Sequence, residues 1–431
     1  MNPLIEELTW RGLVHNIMPG TEEQLNKEIT SGYVGFDPTA DSLHVGSLVP
    51  IFLLVHLQRH GHRPIALVGG ATGFIGDPTG KAAERSLLDV ETLNKYVAGI
   101  KAQLSRFLDF DTNNGNSAVL VNNYDWMKDF SFIDFARNVG KHITVNYMMA
   151  KDSVKSRLSS ESNVGMSFTE FTYQLIQGYD YLHLYKELGA KLQMGGSDQW
   201  GNITTGTELI RRTAQGEAFA FTCPLTTKAD GTKFGKSEGG ENIWLDKKRT
   251  SPYKFYQFWL NQADADAERY IKIYTFLDKE TIDDLIERHR QEPHLRELQR
   301  KLATEITILV HGVDELRKAE KASQVLFGKS TSEDLKELDG DTFLSVFEGV
   351  PQATVAKEEI ENGLDIVATL AEKTGFLKSN SEARRELKAN SISVNKEKIG
   401  EDFVLTIDNL IADKYVLLQK GKKNYFILIV E

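Results

Sequence analysis

The chain has 431 residues, of which 41% are hydrophobic and 26% charged, an ordinary composition for a globular protein of two or three domains. Its single cysteine, Cys223, excludes an intrachain disulfide framework and a cysteine-based zinc site, and favours a small buried hydrophobic role. The net charge of −10 means that any contact with nucleic acid needs local basic patches. No segment resembles a secretion signal or a membrane span, so we expect a cytoplasmic protein without a membrane partner.

Strands and helices alternate in the first half of the chain. An apolar run at 33–36 is followed by polar loop residues, and Ser42 then precedes an apolar helix predicted over 43–59. We expect Ser42 to cap that helix, leaving free backbone N–H groups that suit a phosphate. A buried strand is also predicted at 64–68, and another strand at 118–122. This alternation predicts an α/β fold with a doubly wound parallel sheet.

Two residues in the first turn of that predicted helix, His44 and Gly46, are candidates for ligand contact. An imidazole there can donate to a phosphate oxygen, and a residue without Cβ lets a flat ring approach the backbone. Taken alone, they are explained more simply as a surface histidine and a packing glycine. The later loop at 69–80 holds five glycines, but their spacing gives neither a dinucleotide fingerprint nor a Walker loop.

A polar stripe is predicted on the helix that follows Ser167. Ser167 and Glu170 form a capping box that starts this helix, which we expect to reach about Asp180. Tyr173, Gln177 and Asp180 have i, i+4, i+7 spacing and therefore share one face. The spacing by itself favours a solvated stripe.

A second strand-to-helix corner follows this helix. A short strand at 191–194 leads through two glycines to Asp198, which starts or caps a helix carrying 204–212. Ligands in open α/β sheets sit outside the carboxyl ends of strands, so this corner and the first one are expected to face a single crevice. A loop rich in lysine and glycine comes next, at 228–240, and solvated surface is its simplest explanation.

The second half of the chain has a different pattern. A helical pattern runs from 251 to 328, an acidic and weakly periodic segment at 333–349 suggests a connecting piece, and short helices and strands follow. From Lys378 to the end, ten lysines and arginines stand against eight acidic residues, so this part is locally basic. The predicted domains are 1–232, 233–328, 329–354 and 355–431.

Two ordered motifs and several flanking segments carry a family resemblance. His44-Val-Gly-Ser47 resembles the HIGH signature of class I aminoacyl-tRNA synthetases and related nucleotidylyltransferases, and Lys233-Phe-Gly-Lys-Ser237 resembles their second, lysine-rich signature. The segments GFDPTADSLHVG, GGATGFIGDPTGKAAER, SFTEFTYQLIQGYD and GGSDQWGN are similar to the bacterial tyrosyl-tRNA synthetases in particular. The similarity extends over essentially the whole chain, and the terminal segment resembles a small RNA-binding module of a ribosomal protein.

The resemblance implies the fold and the reaction. A nucleotide-binding catalytic domain would be followed by an α-helical domain on the anticodon side and a small α+β RNA-binding domain. The tyrosine carboxylate would attack the α-phosphate of ATP, and the tyrosyl-adenylate would then acylate the terminal ribose of tRNA(Tyr). No protein nucleophile is needed, so positioning and preorganised donors would supply the rate. ATP would enter with Mg²⁺, and we expect a homodimer with no prosthetic group and no dedicated protein metal site.

The resemblance also implies roles for individual residues. The catalytic set is His44, Lys81, Arg85, Lys233, Lys236 and Ser237. The tyrosine site is Tyr33, Asp77, Tyr173, Gln177, Asp180 and Gln199. The ATP site is Asp37, Thr39, His44, Gly46, Ser47, Asp198 and Lys236. A set of basic residues in the terminal segment would contact the phosphates of RNA. On sequence alone, a surface that only keeps the protein soluble is an equal alternative. The set is Arg384, Arg385, Lys388, Lys396, Lys420, Lys422 and Lys423.

The sequence departs from the family signatures at two places. Ser47 replaces the final histidine of HIGH, and Phe234-Gly235 replaces the Met-Ser of the lysine-rich signature. A related synthetase for tryptophan is one alternative, and it conflicts with Tyr33 and Asp180 as a pair that recognises a phenol. A catalytically inactive RNA-binding protein is another, and the retained lysines and His44 argue against it.

Overall fold

The computed structural model describes residues 1–79, 89–113, 115–158, 165–232, 234–236, 240–327, 331–421 and 424–431. The chain forms two compact units, one of residues 1–246 and 262–302, the other of residues 247–261 and 303–431. No helix in the described ranges is long and apolar enough to cross a membrane.

A six-stranded sheet organises the first unit. Its strands are β1 (Asn16–Ile17), β2 (Ser31–Phe36), β3 (Arg63–Val68), β4 (Val119–Asn122), β5 (Ala190–Gly196) and β6 (Phe219–Cys223). They are ordered β1-β6-β5-β2-β3-β4, and all pairs are parallel except the edge pair of β1 and β6. The central strands are largely buried, which explains their continuous apolar runs. The predicted doubly wound α/β fold is confirmed.

The strand order reverses between β2 and β5, because the chain adds β3 and β4 on one side of β2 and β5 and β6 on the other. Connections on the two sides leave a crevice at the carboxyl ends of such a strand pair. The sheet therefore fixes the place at which a ligand can enter.

Helices surround the sheet and continue into the second half of the chain. Those before residue 328 are α1 (Pro3–Trp10), α2 (Thr21–Lys27), α3 (Leu48–Arg59), α4 (Thr72–Ile75), α5 (Val90–Leu104), α6 (Tyr124–Met127), α7 (Phe132–Asn138), α8 (Val145–Met149), α9 (Asp152–Leu158), α10 (Phe168–Leu188), α11 (Trp200–Ala214), α12 (Pro252–Leu260), α13 (Asp264–Tyr274), α14 (Lys279–Gln291), α15 (Glu297–His311) and α16 (Val313–Phe327). Short 3₁₀ helices span Val45–Ser47, Gly140–His142, Ser197–Gln199 and Pro293–Leu295.

The start of the helix after β2 differs from the prediction. Ser42 does not cap it, because its hydroxyl donates to the carbonyl of Leu43 at 2.7 Å and accepts from Gln103 Nε2 at 2.9 Å. His44 caps the 3₁₀ turn instead, with Nδ1 accepting from the N–H of Gly46 at 3.0 Å. Helix α3 begins only at Leu48, since the preceding residues serve this turn.

Helix α10 is longer than predicted. The capping box of Ser167 and Glu170 is present, as expected. The helix passes Asp180 and ends at Leu188, where Gly189 adopts the left-handed conformation with φ of 64°. The apolar residues of its last turns are buried, so packing extends the helix beyond the polar stripe.

The second unit ends in a five-stranded sheet of order β10-β9-β12-β13-β7. The strands of this unit are β7 (Gln352–Val355), β8 (Leu364–Asp365), β9 (Ile392–Val394), β10 (Glu397–Lys398), β11 (Val404–Leu405), β12 (Tyr415–Lys420) and β13 (Asn424–Val430). Its later helices are α17 (Ser332–Lys336), α18 (Gly340–Val346), α19 (Lys357–Glu361), α20 (Ile366–Ala368) and α21 (Asn380–Lys388), with a π-helix at Thr369–Lys373 and a 3₁₀ helix at Ile407–Asn409.

The acidic segment predicted as a connecting piece is structured. It contains α17 and α18, whose N-caps are Thr331 and Asp339 and whose side chains Leu335 and Phe343 are buried. Its weak periodicity reflects the shortness of these helices. The division of the chain into four domains stays a prediction.

Candidate active site

A cavity of about 320 Å³ lies at the carboxyl ends of β2 and β5, where the strand order reverses. Both predicted strand-to-helix corners line it, so they do face a single crevice. The structure brings eleven of the predicted site residues to its wall: Tyr33, Asp37, Thr39, His44, Gly46, Ser47, Asp77, Tyr173, Gln177, Asp180 and Gln199.

Tyr33 on β2 contributes a buried phenol to this cavity. The residue is 1% exposed, and its ring packs edge-on against Tyr181 at a centroid distance of 5.2 Å. Its hydroxyl has no hydrogen-bond partner within the described part of the chain. Burial is the main reason that the pKa of Tyr33 lies well above its usual range, so the hydroxyl stays protonated and can donate. A buried polar atom without a partner is costly, which suits a ligand that supplies the partner.

Asp180 on α10 contributes a buried carboxylate, 2% exposed. Asn123 Nδ2 donates to its Oδ2 and Trp126 Nε1 donates to its Oδ1, each at 2.9 Å. Burial raises the pKa of Asp180 to about 7, while the two donors oppose that rise. The sequence analysis missed Asn123 and Trp126. They follow the carboxyl end of β4, and the rule that located the loop after β2 could have found them.

A second carboxylate, that of Asp37, links β2 to α10. Tyr173 donates its hydroxyl proton to Asp37 Oδ2 at 2.7 Å, and Thr72 donates to Oδ1 at 2.6 Å. Asn123 Nδ2 lies 3.2 Å from the Thr72 hydroxyl, so one network joins Asp37 to Asp180. The polar stripe of α10 thus points into the protein, and its interpretation as a solvated face is wrong.

Asp77 and Gln199 also line the cavity, and they contact each other there. Gln199 Nε2 donates to Asp77 Oδ2 at 2.7 Å, and the backbone N–H of Thr79 donates to Oδ1 at 2.9 Å. Together with Asp37 and Asp180, Asp77 gives the cavity three carboxylates, and no lysine or arginine is among the described residues that line it. This excess of negative charge favours an ammonium group.

His44 and Gly46 form the rim that follows β2. Because His44 Nδ1 accepts from Gly46, the neutral ring carries its proton on Nε2 and can donate from there. The segment at 243–245 pairs with this rim, since the N–H of Val45 donates to the carbonyl of Ile243 at 2.9 Å and the N–H of Leu245 donates to the carbonyl of Leu43 at 2.9 Å. The rim is therefore attached to the chain that follows the lysine-rich loop.

Part of the lysine-rich loop is described. Phe234 is buried against Tyr270 and Tyr274, with centroid distances of 4.8 and 5.4 Å, and Gly235 has a φ of 92°. Lys236 is exposed and pairs through its backbone with Asn242. Neither Lys236 nor Asp198 lines the cavity, although Asp198 Oδ2 lies 3.4 Å from Gln199 Nε2. Four predicted catalytic residues lie outside the described residues: Lys81, Arg85, Lys233 and Ser237.

The predicted basic set of the second unit is partly neutralised by internal ion pairs. Lys420 Nζ lies 3.1 Å from Glu382 and 3.3 Å from Glu386. Arg385 pairs with Glu386, and Lys388 pairs with Glu401, each at 3.4 Å. Arg384 is exposed and makes no ion pair with a described residue, Lys396 is half-buried with a positive φ of 70°, and Lys422 and Lys423 lie outside the described ranges.

In the described part of the chain, no three or more histidine, cysteine, aspartate or glutamate side chains are grouped so as to hold a metal ion. Cys223 is buried, as predicted, with Sγ 3.4 Å from the carbonyl of Gly195.

Known proteins match the chain along its whole length. Residues 25–328 match the family model for tRNA synthetases class I (W and Y), and residues 342–428 match the tyrosine–tRNA ligase SYY-like C-terminal domain. The chain is 70% identical over 432 residues to a tyrosine–tRNA ligase of Flavobacterium johnsoniae, with all of both chains covered. It is 61% identical over 428 residues to a tyrosine–tRNA ligase of Porphyromonas gingivalis, with 99% of each covered.

A solved structure agrees with these relatives. A C-terminally truncated mitochondrial tyrosyl-tRNA synthetase of Aspergillus nidulans superposes with a TM-score of 0.67 at 31% identity, over 75% of this chain and 94% of that one. Since the first family model covers more than half of the chain and the bacterial relatives match it from end to end, the chain belongs to the tyrosine–tRNA ligases among the class I tRNA synthetases.

Proposed function

We propose that the chain activates L-tyrosine with ATP, releasing pyrophosphate, and transfers the tyrosyl group to the 3′-terminal ribose of tRNA(Tyr). Tyrosine, ATP and tRNA(Tyr) are then its partners. Its membership of the tyrosine–tRNA ligases supports this activity. The observation that carries the choice of tyrosine is the Tyr33 hydroxyl, buried without a partner among the described residues, in a cavity that also contains Asp180.

Tyr33 and Asp180 are complementary to a phenol. The protonated Tyr33 hydroxyl can donate to the substrate oxygen, and the Asp180 carboxylate can accept the substrate proton. Phenylalanine would leave both groups unpaired in a buried site. Rejection of phenylalanine on the order of 10⁴–10⁵ is the general expectation for such a site, and this enzyme family is an established case of that effect.

The ammonium group of tyrosine suits the part of the cavity that is lined by carboxylates. Tyr173, Gln177 and Asp77 are proposed to bind the ammonium group, and Gln199 to lie beside the carboxylate. Gln177 Oε1 is buried and has no partner among the described residues, so it is available as an acceptor. The negative charge of the cavity favours the ammonium end there.

ATP is proposed to bind along the rim, with its Mg²⁺ entering as part of the substrate. Asp37, Thr39, Gly46 and Ser47 would hold the nucleotide, Asp198 would reach its ribose, and His44 would donate from Nε2 to a phosphate. The lining offers no lysine or arginine among the described residues, so the phosphate charge has to be met by residues around it. Lys81, Arg85, Lys233, Lys236 and Ser237 are proposed for that role.

The test is exchange of pyrophosphate into ATP by the purified protein, with tyrosine, phenylalanine or tryptophan as the amino acid. We expect efficient exchange with tyrosine and only very weak exchange with phenylalanine or tryptophan. Tyr33→Phe should relax discrimination modestly because Asp180 remains, and Asp180→Asn should damage use of tyrosine itself. Exchange that depends on tryptophan would redirect the specificity, and absence of exchange with a folded protein would favour the inactive RNA-binding alternative.

The terminal module is proposed to bind tRNA through its basic side chains. Arg384 should contribute most among the described candidates, because Arg385, Lys388 and Lys420 already have carboxylate partners. Arg384→Ala should weaken tRNA binding and reduce its salt dependence more than Lys420→Ala does. Equal effects of the two substitutions on the dissociation constant would contradict this ranking.

We also propose a homodimer, located in the cytoplasm where translation takes place. Three large apolar side chains near the starts of α7 and α10 support the dimer, because Phe132, Ile133 and Phe168 are 71%, 76% and 67% exposed. The rings of Phe132 and Phe168 lie 6.4 Å apart, so they belong to one patch. Ile133→Asp should yield monomers in sedimentation, whereas Val313→Asp, at another exposed apolar position, should not. A dimer unchanged by Ile133→Asp would exclude this patch.

A further inference from the structure

Trp126 is held from two directions by the same helix. Its indole N–H donates to Asp180 Oδ1 at 2.9 Å. Its ring face stacks on the imidazole of His183, with centroids 4.3 Å apart and planes inclined by 19°. Asp180 and His183 are three residues apart on α10, so one turn of that helix provides both contacts.

The two contacts restrain different motions of the indole. The hydrogen bond fixes the direction of the N–H but lets the ring rock about the line between donor and acceptor, whereas a stacked plane resists that rocking. Trp126 lies on α6, which spans only Tyr124–Met127, and so short a helix has little stability of its own. The orientation of the indole therefore depends on its contacts with α10.

His183 is itself supported by neighbouring aromatic rings. Tyr179, one turn earlier on α10, lies 6.2 Å from the imidazole, and Phe130 packs edge-on against Tyr179 at 5.0 Å. Burial lowers the pKa of His183 below its usual value, against the opposing effect of Glu187. At neutral pH, the His183 imidazole on which Trp126 stacks is therefore uncharged. Tyr179 and Phe130 hold that imidazole in place.

We propose that His183 is a positioning residue for recognition of the substrate phenol: it holds Trp126 so that the indole N–H stays directed at Asp180. The inference rests on the proposed activation of tyrosine. His183 is not among the residues that line the cavity, so its effect has to pass through Trp126 and Asp180.

Loss of the stack should weaken one of the two side-chain donors to Asp180 and leave Asn123 as the other. A buried carboxylate with one donor fewer is less stable in its charged form, so it is a poorer acceptor for the substrate hydroxyl. The effect should fall on tyrosine and spare phenylalanine, which has no hydroxyl to place.

The test compares three variants of the full-length protein in pyrophosphate exchange: His183→Ala, His183→Leu and His183→Phe. Alanine and leucine remove the flat ring, and we expect each to raise the tyrosine KM about 2- to 10-fold with kcat and the ATP KM nearly unchanged. The ratio of kcat/KM for tyrosine to that for phenylalanine should fall by the same factor. Phenylalanine at position 183 restores a plane and should stay near wild type.

A double-mutant cycle separates this role from general packing. Trp126→Phe removes the N–H, so His183→Ala added to Trp126→Phe should cause no further rise in the tyrosine KM. Independent losses that multiply in the double variant would overturn the proposal. Thermal unfolding of each variant identifies any variant that fails to fold. If His183→Ala fails to fold, the comparison of His183→Leu with His183→Phe still tests the proposal.

The outcomes distinguish this inference from the function on which it rests. A wild-type protein without tyrosine-dependent exchange would overturn the proposed function and the inference together. An active wild type, with unchanged tyrosine KM and unchanged discrimination in folded His183→Ala and His183→Leu, would overturn the inference alone. So would an equal loss in His183→Phe.

Discussion

Asp180 is the residue whose protonation should control tyrosine binding. Burial raises its pKa to about 7, against the donors Asn123 and Trp126 that favour the charged form. A bound phenol that donates to the carboxylate favours the charged form as well, so binding of tyrosine should release a proton. Affinity for tyrosine should therefore fall as the pH drops through 7.

We expect the tyrosine KM in pyrophosphate exchange to rise by up to about tenfold for each pH unit below 7, with a smaller change in the ATP KM. Asp180→Asn should use tyrosine poorly and show a nearly flat profile. In the free enzyme the raised pKa means that the fold disfavours the charged carboxylate, so the free energy of unfolding should fall as pH rises from about 4 to about 7. A tyrosine KM independent of pH in the wild type would contradict the assignment.

Gly46 is constrained by the ring of its own neighbour. A Cβ at this position would lie 2.8 Å from His44 Cε1 and 2.9 Å from Nδ1, and His44 is the cap of the same turn. Gly46→Ala should displace the imidazole and lower kcat/KM for exchange by about tenfold to a hundredfold, the usual cost of a small misplacement. Gly400→Ala, where no atom lies within 4 Å, is the control. Full activity of Gly46→Ala would show that the His44 position is not needed.

At the scale of elements, α10 and α11 approach each other closely where glycines face the opposite helix. A Cβ on Gly206 of α11 would lie 2.8 Å from Cβ and Cδ1 of Tyr181, a fully buried residue next to Asp180. Gly178 of α10 lies in the same contact, since its Cβ would be 3.3 Å from Thr205 Cγ2. The position of the polar stripe of α10 thus depends on the small residues that face α11 as well as on the polar residues that face the cavity.

Gly206→Ala should lower the free energy of unfolding by about 1–3 kcal/mol, because the buried Tyr181 cannot move away without a shift of the helix. Gly201→Ala on the same helix meets only the flexible side chain of Lys151, at 3.5 Å, and should be neutral or stabilising. Denaturant unfolding of the two variants checks this difference. Equal stabilities would mean that the helices can separate at little cost.

At the scale of the whole molecule, the cavity residues all belong to the first unit and the terminal basic residues to the second. Deletion of 350–431 cuts before β7, which pairs with β13, and so removes the terminal sheet entirely. We expect this truncation to leave tyrosine-dependent exchange nearly intact and to abolish useful charging of tRNA. Equal loss of both activities in a folded truncation would contradict that division.

The salt dependence of tRNA charging and of pyrophosphate exchange tests the same assignment of roles to the two units independently. Contacts with RNA phosphates release counterions, so raising the salt concentration should weaken charging before it weakens exchange. The proposed tyrosine site should respond less, because Asp180 is buried and Asp37 and Asp77 are half-buried, so salt screens them less than exposed charges. Charging and exchange that decline together with salt would argue against phosphate contacts by the terminal module.

The sequence by itself determined the doubly wound fold, because buried parallel strands require continuous apolar runs with helices between them. It also determined where the crevice forms, since the carboxyl ends of β2 and β5 are fixed once the strands are placed. The capping box at Ser167 and the shared face of Tyr173, Gln177 and Asp180 follow from local rules that act within one helix.

The tertiary structure alone decided that this face of α10 points into the protein. It also decided which residues from other parts of the chain hydrogen-bond to that face. Periodicity shows that side chains share a face, but only packing against the sheet makes the face buried. Asn123 and Trp126 reach Asp180 from more than fifty residues away. Their place after a strand could mark them as candidates, but no local pattern records that they contact Asp180. For a similar reason, His44 forms the cap that was expected from Ser42. Gln103, which is distant in sequence, donates a hydrogen bond to the Ser42 hydroxyl. Hydrogen bonds between distant segments form only when the fold brings their donors and acceptors together.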